Sequence, residues 1–232
     1  MSATLGIRFG AITTDLLSLA YPARCLACAA PCTAGCAVCM LCRCQIERPM
    51  DHEVRDSVRE FFPDSPVTDA WALWVFEKAG ALQRIHQAIK YSNRPYFGTL
   101  LGRMVGHVVR RNSARMFDGI VPIPLHRSRL YERGYNQSEP IAVGISQVLG
   151  VPVESTLLRR AAATRRQTGL SAADRAANIA AAFTATQAAA SRQLLVVDDI
   201  ITTGATLSAA AASLLDVGAR SVDACAVGFA RR

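Results

Sequence analysis

Lysine is almost missing from this chain: of its 26 basic residues only Lys78 and Lys90 are lysines, and the other 24 are arginines. Aromatic residues are also few, at 6%, which leaves little material for a continuous base-stacking surface. No apolar run reaches the roughly 18 residues that a membrane-spanning helix needs, so insertion into a bilayer is not expected. Neither G-x-x-x-x-G-K nor G-x-G-x-x-G occurs, which excludes the common phosphate loop and the dinucleotide fingerprint. No side chain stands out as a general base. Of the histidines His86, His107 and His126, only His126 falls in a candidate site loop, and the other two read as surface or packed residues.

What is present is enough to fold. A chain of 232 residues with 51% hydrophobic content suits one α/β domain with a proper core and a small appended module. The net charge is +8, and it is unevenly placed. Residues 103–175 hold 12 arginines against 5 acids and so carry +7 of the total. A GC-rich genome accounts for the arginine-to-lysine ratio but not for this clustering, which suits an anionic ligand, either pyrophosphate or nucleic acid.

The stretch 1–20 reads as an amphipathic helix with Ile12, Leu16, Leu17 and Leu19 on one face. Thr13, Thr14 and Asp15 interrupt it too early for a secretory signal, so a cytoplasmic location is expected. Seven of the eight cysteines fall between residues 25 and 44. A cluster that tight in a reducing compartment points to metal rather than disulfides. Cys25-x2-Cys28 and Cys39-x2-Cys42 form two knuckles that together supply four thiolates for a tetrahedral Zn²⁺ site. Cys36-x2-Cys39 is a rival second knuckle, and a second metal with a ligand such as His52 is conceivable. Cys225 reads as a buried small hydrophobe.

Three zones are expected. Residues 1–50 form the leading helix and the cysteine module, residues 51–69 a linker, and residues 70–232 the α/β domain. Within that domain, strands are expected at 71–76, 118–123, 153–159, 194–197 and 221–229. Helices are expected at 81–90, 100–111, 139–149, 175–181 and 206–217, with loops at 91–97, 126–137 and 160–174. Strands alternating with helices imply a mainly parallel sheet whose ligands bind at the carboxyl ends of the strands.

The most specific segment is residues 194–207, LLVVDDIITTGATL. An apolar strand runs into Asp198 and Asp199, then into Thr202, Thr203, Gly204, Ala205 and Thr206, then into a helix. Adjacent carboxylates accept hydrogen bonds from vicinal hydroxyls such as those of a ribose. The threonine-rich turn offers hydroxyls and backbone N–H groups at a helix N-terminus, which is an anion site by geometry and dipole. Gly204 allows close approach of the backbone. A plain strand–turn–helix with a Thr cap requires neither the two acids nor three threonines.

Two basic loops accompany it. Residues 121–137, VPIPLHRSRLYERGYNQ, carry Arg127, Arg129 and Arg133 after a strand. Arginine forks bind phosphate oxygens in pairs. Asn136 and Gln137 read as ligand or helix-cap groups. Residues 158–178 form a long loop between strands with Arg165 and Gln167, and such length suits a functional, mobile segment that excludes water.

Residues 196–207 resemble the signature of type I phosphoribosyltransferases, which bind 5-phosphoribosyl-1-pyrophosphate (PRPP). Further motifs sharpen the likeness: Pro124-x2-Arg127, Arg133-Gly134-Tyr135-Asn136-Gln137, Gln167-x2-Leu170, Arg175-x2-Asn178 and Lys90-Tyr91 all resemble the ComF family, whose architecture GntX-named proteins share. The resemblance covers residues 15 to 231. It implies a type I phosphoribosyltransferase-like, mainly parallel sheet flanked by helices, with a small N-terminal zinc-ribbon module. It implies that Asp198 and Asp199 bind the ribose hydroxyls, and that residues 202–206 cradle the 5-phosphate. Arg127, Arg129 and Arg133 would form the pyrophosphate loop, and Arg165 and Gln167 would belong to a flexible loop. Mg²⁺ would bridge ribose hydroxyls and pyrophosphate. The family pattern favours Cys39 and Cys42 as the second zinc knuckle.

Two functions follow as expectations. One is Mg²⁺-dependent transfer of a phosphoribosyl group, linked through the family to DNA uptake in natural competence. The other is a non-enzymatic PRPP-sensing or single-stranded-DNA-binding module that works with DNA-processing proteins. The same fold serves both, so the signature speaks for binding before turnover.

Overall fold

The structure is a computed structural model that describes residues 23–33, 35–50, 52–91, 94–160 and 182–231. The leading helix expected at 1–20, the helix at 175–181, and Arg165 and Gln167 lie outside the described residues.

Four parallel strands form the central sheet in the order β3–β8–β7–β4: β3 (Val67–Val75), β4 (Gly119–Pro122), β7 (Gln193–Ile201) and β8 (Ser221–Phe229). A single parallel bridge from Val153 to Ile120 extends the sheet beyond β4. The central strand β7 carries, after Gln193, four consecutive apolar residues, Leu194 to Val197, all fully buried. Such a run, rather than an alternating one, is what a strand covered on both faces requires. Leu194 and Val196 pack into one core with Leu207 and Leu214 of helix α7 (Ala205–Asp216). Leu195 and Val197 pack into the other core with Ile85, Leu101 and Ile141, from α3 (Ala81–Tyr91), α4 (Pro95–Asn112) and α6 (Ser138–Leu149). The expected mainly parallel α/β sheet between helical layers is therefore present.

Helices α4 and α6 approach most closely. A Cβ on Gly102 would land on the Ile141 carbonyl, and one on Gly144 on the Thr99 carbonyl. Glycine is required at both positions by contact, and the fit holds α6 firmly behind the end of β4. Helix α6 stops at Gly150, left-handed at φ 72°, as its sequence predicts.

Four segments differ from the sequence expectation. The strand expected at 153–159 is reduced to the bridge at Val153 and the short β5 (Leu158–Arg160), with a turn between them. The stretch read as a linker contains α2 (Glu53–Phe61), whose Val54 and Val58 are buried in the core. The valines at i and i+4 fall on one helix face, a signal too brief to outweigh the surrounding charges. The basic loop at 126–137 contains a seven-residue helix, α5 (Arg127–Arg133). His126 caps it by accepting the Ser128 N–H at Nδ1, and Gly134, left-handed at φ 76°, ends it. The loop expected at 91–97 gives way at Pro95 to the first turn of α4, a position where proline's missing N–H costs nothing.

The N-terminal module is small. Strands β1 (Ala23–Arg24) and β2 (Pro31–Cys32) form a short antiparallel pair, followed by α1 (Met40–Gln45). Cys25, Ala27, Val38 and Cys42 join Trp71, Trp74 and Leu82 in one buried cluster, so the module shares its core with the sheet. No described helix is long and apolar enough to cross a membrane.

Candidate functional site

At the carboxyl ends of β4 and β7 lies a cavity of about 660 Å³. Asp198, Asp199, Arg129, Arg133 and Thr206, all expected from the sequence, line it together with Lys90, Ser138 and Arg160. Arg127 does not line it; it stands exposed at the start of α5. Thr202, Thr203 and Gly204 form the turn between β7 and α7, and Ala205 and Thr206 begin the helix. The Ala205 N–H reaches Thr203 Oγ1 at 3.4 Å. Gly204 is left-handed at φ 82°, and a Cβ there would sit 2.9 Å from Val58 of α2. Its requirement is thus set by the turn and by α2 as well as by any ligand.

The two acids have different neighbours. Asp199 Oδ2 lies 2.9 Å from His86 Nε2 and 3.6 Å from Lys90 Nζ, both on α3. Burial works to raise the Asp199 carboxyl, but the His86 hydrogen bond and charge, with Lys90, outweigh it and hold Asp199 below its usual range. Asp198 Oδ1 accepts from Ser138 Oγ at 3.4 Å and from the Asp199 N–H at 2.8 Å. Burial, then the charge of Asp199, pushes Asp198 up. The pair therefore holds one firm negative charge and one carboxyl inclined to keep its proton.

Facing them is a set of cations. Burial lowers Lys90, and the nearby Arg133 and Arg129 add to this, while Asp199 opposes it. Arg160 is lowered by burial and by Arg129, and its guanidinium stacks 5.3 Å above the Phe183 ring. All four line the same cavity. Lys90, Arg129, Arg133 and Arg160 outnumber the two carboxylates, so the cavity fits a ligand carrying several negative charges. Arg133 Nη1 donates to Gln137 Oε1 at 3.0 Å while its Nε is buried without a partner. Asn136 acts on the backbone instead. Its Nδ2 donates to the Ile123 carbonyl and its Oδ1 accepts the Ser138 N–H, which fixes the α5–α6 turn against the end of β4.

Two residues of the cavity, Ser138 and Arg160, and His86 behind Asp199 carry no clear signal in the sequence. His86 reads there as a packed or surface residue, and Ser138 and Arg160 carry no site role. Their contacts with the acid pair span 113 positions for His86 and 60 for Ser138, and no local pattern announces them. Lys90 carries a signal, as one of two lysines in an arginine-rich chain.

Cys25, Cys28, Cys39 and Cys42 gather with their sulfur atoms all within 4.8 Å of one another. Cys28 and Cys39 Sγ lie 3.8 Å apart, and a tetrahedron with zinc–sulfur bonds of ~2.3 Å has edges of ~3.8 Å. Cys25 Sγ accepts N–H groups from Ala27 at 3.4 Å and Cys39 at 3.3 Å. Against the effect of burial, these and the Cys28 N–H bring its thiol down to about 6. The donor set fits Zn²⁺ and leaves no open position for chemistry. Cys36, the rival ligand, instead donates to the Val38 carbonyl at 3.0 Å. Among the described residues His52 joins no metal-ligating group.

Residues 136–231 match the family model of the phosphoribosyl transferase domain. The chain is 31% identical over 102 residues to Competence protein F of Haemophilus influenzae, covering 42% of this chain and 44% of that one. It is 35% identical over 103 residues to the DNA utilization protein YhgH of Escherichia coli K12, covering 43% and 45%. The alignment with these curated relatives thus spans less than half of their length. At TM-score 0.42 and 20% identity, 60% of the chain superposes on 30% of the glutamine PRPP amidotransferase from B. subtilis. The family model, the relatives' names and the four-cysteine cluster bear out the resemblance read from the motifs.

Proposed function

We propose, from the match of residues 136–231 to the phosphoribosyl transferase domain model, that the cavity binds PRPP and supports Mg²⁺-dependent phosphoribosyl transfer tied to DNA uptake and use. One observation carries this: the acid pair near the end of β7 is followed by the 202–204 turn and the first turn of α7, and four cations line the same cavity. In this reading the carboxylates of Asp199 and Asp198 take the ribose hydroxyls. The 5-phosphate sits on Thr206 and the N–H groups of residues 202–206, at the positive end of α7. Arg129, Arg133, Arg160 and Lys90 face the pyrophosphate and stabilise the charge it gains as the C1–O bond breaks. Arg127 at the rim steers the anion inward. Mg²⁺, when bound, supplies further neutralisation of the pyrophosphate, and Asp198 and Asp199 are the oxygen donors that fit it. Cys25, Cys28, Cys39 and Cys42 hold a structural Zn²⁺, and the protein works in the cytoplasm. The names of the relatives, Competence protein F and DNA utilization protein, support the link to DNA.

A second reading, PRPP sensing without turnover, has its own support. Among the described residues no Phe, Tyr or Trp lines the cavity, so an acceptor base finds no stacking surface there. Tyr131, 94% exposed on α5 beside Arg127, suits contact with single-stranded DNA instead. Calorimetry with PRPP, with and without Mg²⁺, is paired with pyrophosphate release across a panel of bases. Binding that is lost in Asp198→Asn/Asp199→Asn, with release for at least one acceptor, supports the enzyme. Tight binding with no release for any acceptor supports the sensor. A salt-independent affinity for single-stranded DNA removes the nucleic-acid role.

A further inference from the structure

Helix α3 touches both special regions of the molecule. Its Arg84 Nε donates a 2.6 Å hydrogen bond to the carbonyl of Ala27, which lies within the first cysteine knuckle between Cys25 and Cys28. The apolar face of α3, Leu82, Ile85 and Ile89, shares a buried cluster with Cys25, Ala27, Val38 and Cys42. From the same helix His86 and Lys90 reach Asp199, at 2.9 and 3.6 Å. They stand four residues apart and so on one face. Phe76 sets its ring edge-on to His86, with centroids 6.1 Å apart. At the other end of α3, the Tyr135 hydroxyl donates to the Ile89 carbonyl, which ties the helix to the segment that follows the arginine-bearing α5. Any shift of α3 along its axis therefore moves His86 and Lys90 relative to Asp199, and at the N-terminal end of the helix the Arg84 hydrogen bond to the cysteine loop opposes such a shift together with the packing of Leu82 and Ile85.

We propose that Arg84 is a positioning residue that couples the metal-loaded cysteine module to the acid pair, so that zinc binding in the module and ligand binding in the cavity strengthen one another. The proposal rests on the PRPP reading of the cavity and on zinc as the metal that fits the four thiols. Zinc draws in Cys25 and Cys28 and fixes the loop between them. That loop presents the Ala27 carbonyl to Arg84, and α3 then holds His86 and Lys90 in register with Asp199. Coupling between two binding sites is reciprocal by thermodynamic necessity, and its ordinary range begins at about fivefold. Zinc should therefore tighten PRPP about five- to tenfold, and PRPP should tighten zinc by the same factor.

The test measures both affinities in the full chain. Zinc affinity is read by competition with a chromogenic chelator, with and without PRPP, and PRPP affinity is read by calorimetry, with and without zinc. Expected are equal factors in the wild type and no coupling in Arg84→Ala, which still takes up one zinc at saturation. Arg84→Lys, which can still donate to the carbonyl, recovers part of the coupling. Unchanged affinities on adding the other ligand, or coupling that persists in Arg84→Ala, overturn the proposal. Should the zinc-free chain unfold, the zinc-loaded Arg84→Ala variant decides: its His86 imidazole NMR signals must move away from those of the wild type, and unmoved signals overturn the link. A wild type that binds no PRPP under any condition refutes the PRPP reading, while the His86 signals still report on whether the module holds α3.

Discussion

The cysteine module and the cation-lined cavity both crowd groups of like charge together, and they do so in opposite ways. In the module four thiols drawn from 18 consecutive residues lie within 4.8 Å, and their compensation must come from a metal. In the cavity two adjacent carboxylates are compensated by side chains from α3, α5 and α6 and by Arg160. The first arrangement is local in sequence and all-or-none in energy. The second is long-range and graded, because each partner can be removed singly. The largest effect should therefore come from the module. Cys42→Ser leaves three thiolates and a weak hydroxyl, and structural zinc sites of this kind supply folding energy directly. The metal content of the purified protein should fall from one per chain to near zero, with a clear drop in melting temperature. Retention of one zinc with unchanged melting would break the contrast.

The next effect belongs to the cavity. Asp199→Asn removes the anion that His86 and Lys90 share and leaves the half-buried Lys90 ammonium near Arg129 and Arg133 with no carboxylate against it. Hydrogen bonds to charged groups are worth ~1.5–3 kcal/mol, so PRPP binding should weaken by roughly 10- to 150-fold. Lys90→Met should cost less, about tenfold, because its 3.6 Å contact is the longer of the two. Calorimetric titration checks both. Equal losses for the two variants would mean that the pair is not graded as the geometry indicates.

The same contrast explains what is legible in the sequence. The four sulfur ligands and the strand–acid–turn–helix of β7 and α7 sit in short windows with a fixed spacing, and each window states its own chemistry. Val54 and Val58 are hidden among charges, because two valines do not make a periodic pattern. His86 and Ser138 give no sign, because their role depends on partners on β7 that are far away in sequence. Arg160 borders the long loop and reads as part of it, although β5 (Leu158–Arg160), paired with β6 (Phe183–Ala185), turns it into the cavity. Helix α5 escapes notice for a different reason. Seven residues are too few for periodicity to show, and its cap is a histidine, an uncommon N-cap.

A smaller effect is expected at the turn between β7 and α7. Gly204→Ala must hold φ 82° and place a methyl 2.9 Å from Val58. A left-handed non-glycine residue costs ~1–3 kcal/mol, and the crowding adds to it. Chemical denaturation should register a loss of about 2 kcal/mol. Paired with Val58→Ala, the crowding part should return and the backbone part should not.

The smallest effect concerns a third carboxylate, at the opposite end of the sheet. Asp223 begins β8 and is 1% exposed, and its Oδ1 accepts the Asp69 N–H at 3.1 Å. Its Oδ2 has no hydrogen-bond partner and lies 3.6 Å from Arg115 Nε. Asp199 has a hydrogen-bonded side-chain partner on α3 and is held down; Asp223 has only the Asp69 backbone N–H and is pushed up. Burial raises Asp223 from its ordinary 3.8 to about 6, with Arg115 opposing and the Asp69 charge assisting. A carboxyl raised on folding stabilises the protein while protonated. Its contribution is complete below the unfolded value of 3.8 and is lost as pH rises through about 6. Across this window the folded chain holds more protons than the unfolded one, so stability must fall with rising pH. Asp223→Asn cannot titrate and should lose that slope, so the gap between wild type and variant should change by on the order of 1 kcal/mol between pH 4 and 7. Urea denaturation at a series of pH values reads it directly. A constant gap across the window would show that Arg115 compensates Asp223 as fully as His86 and Lys90 compensate Asp199, and the two ends of the sheet would then be alike.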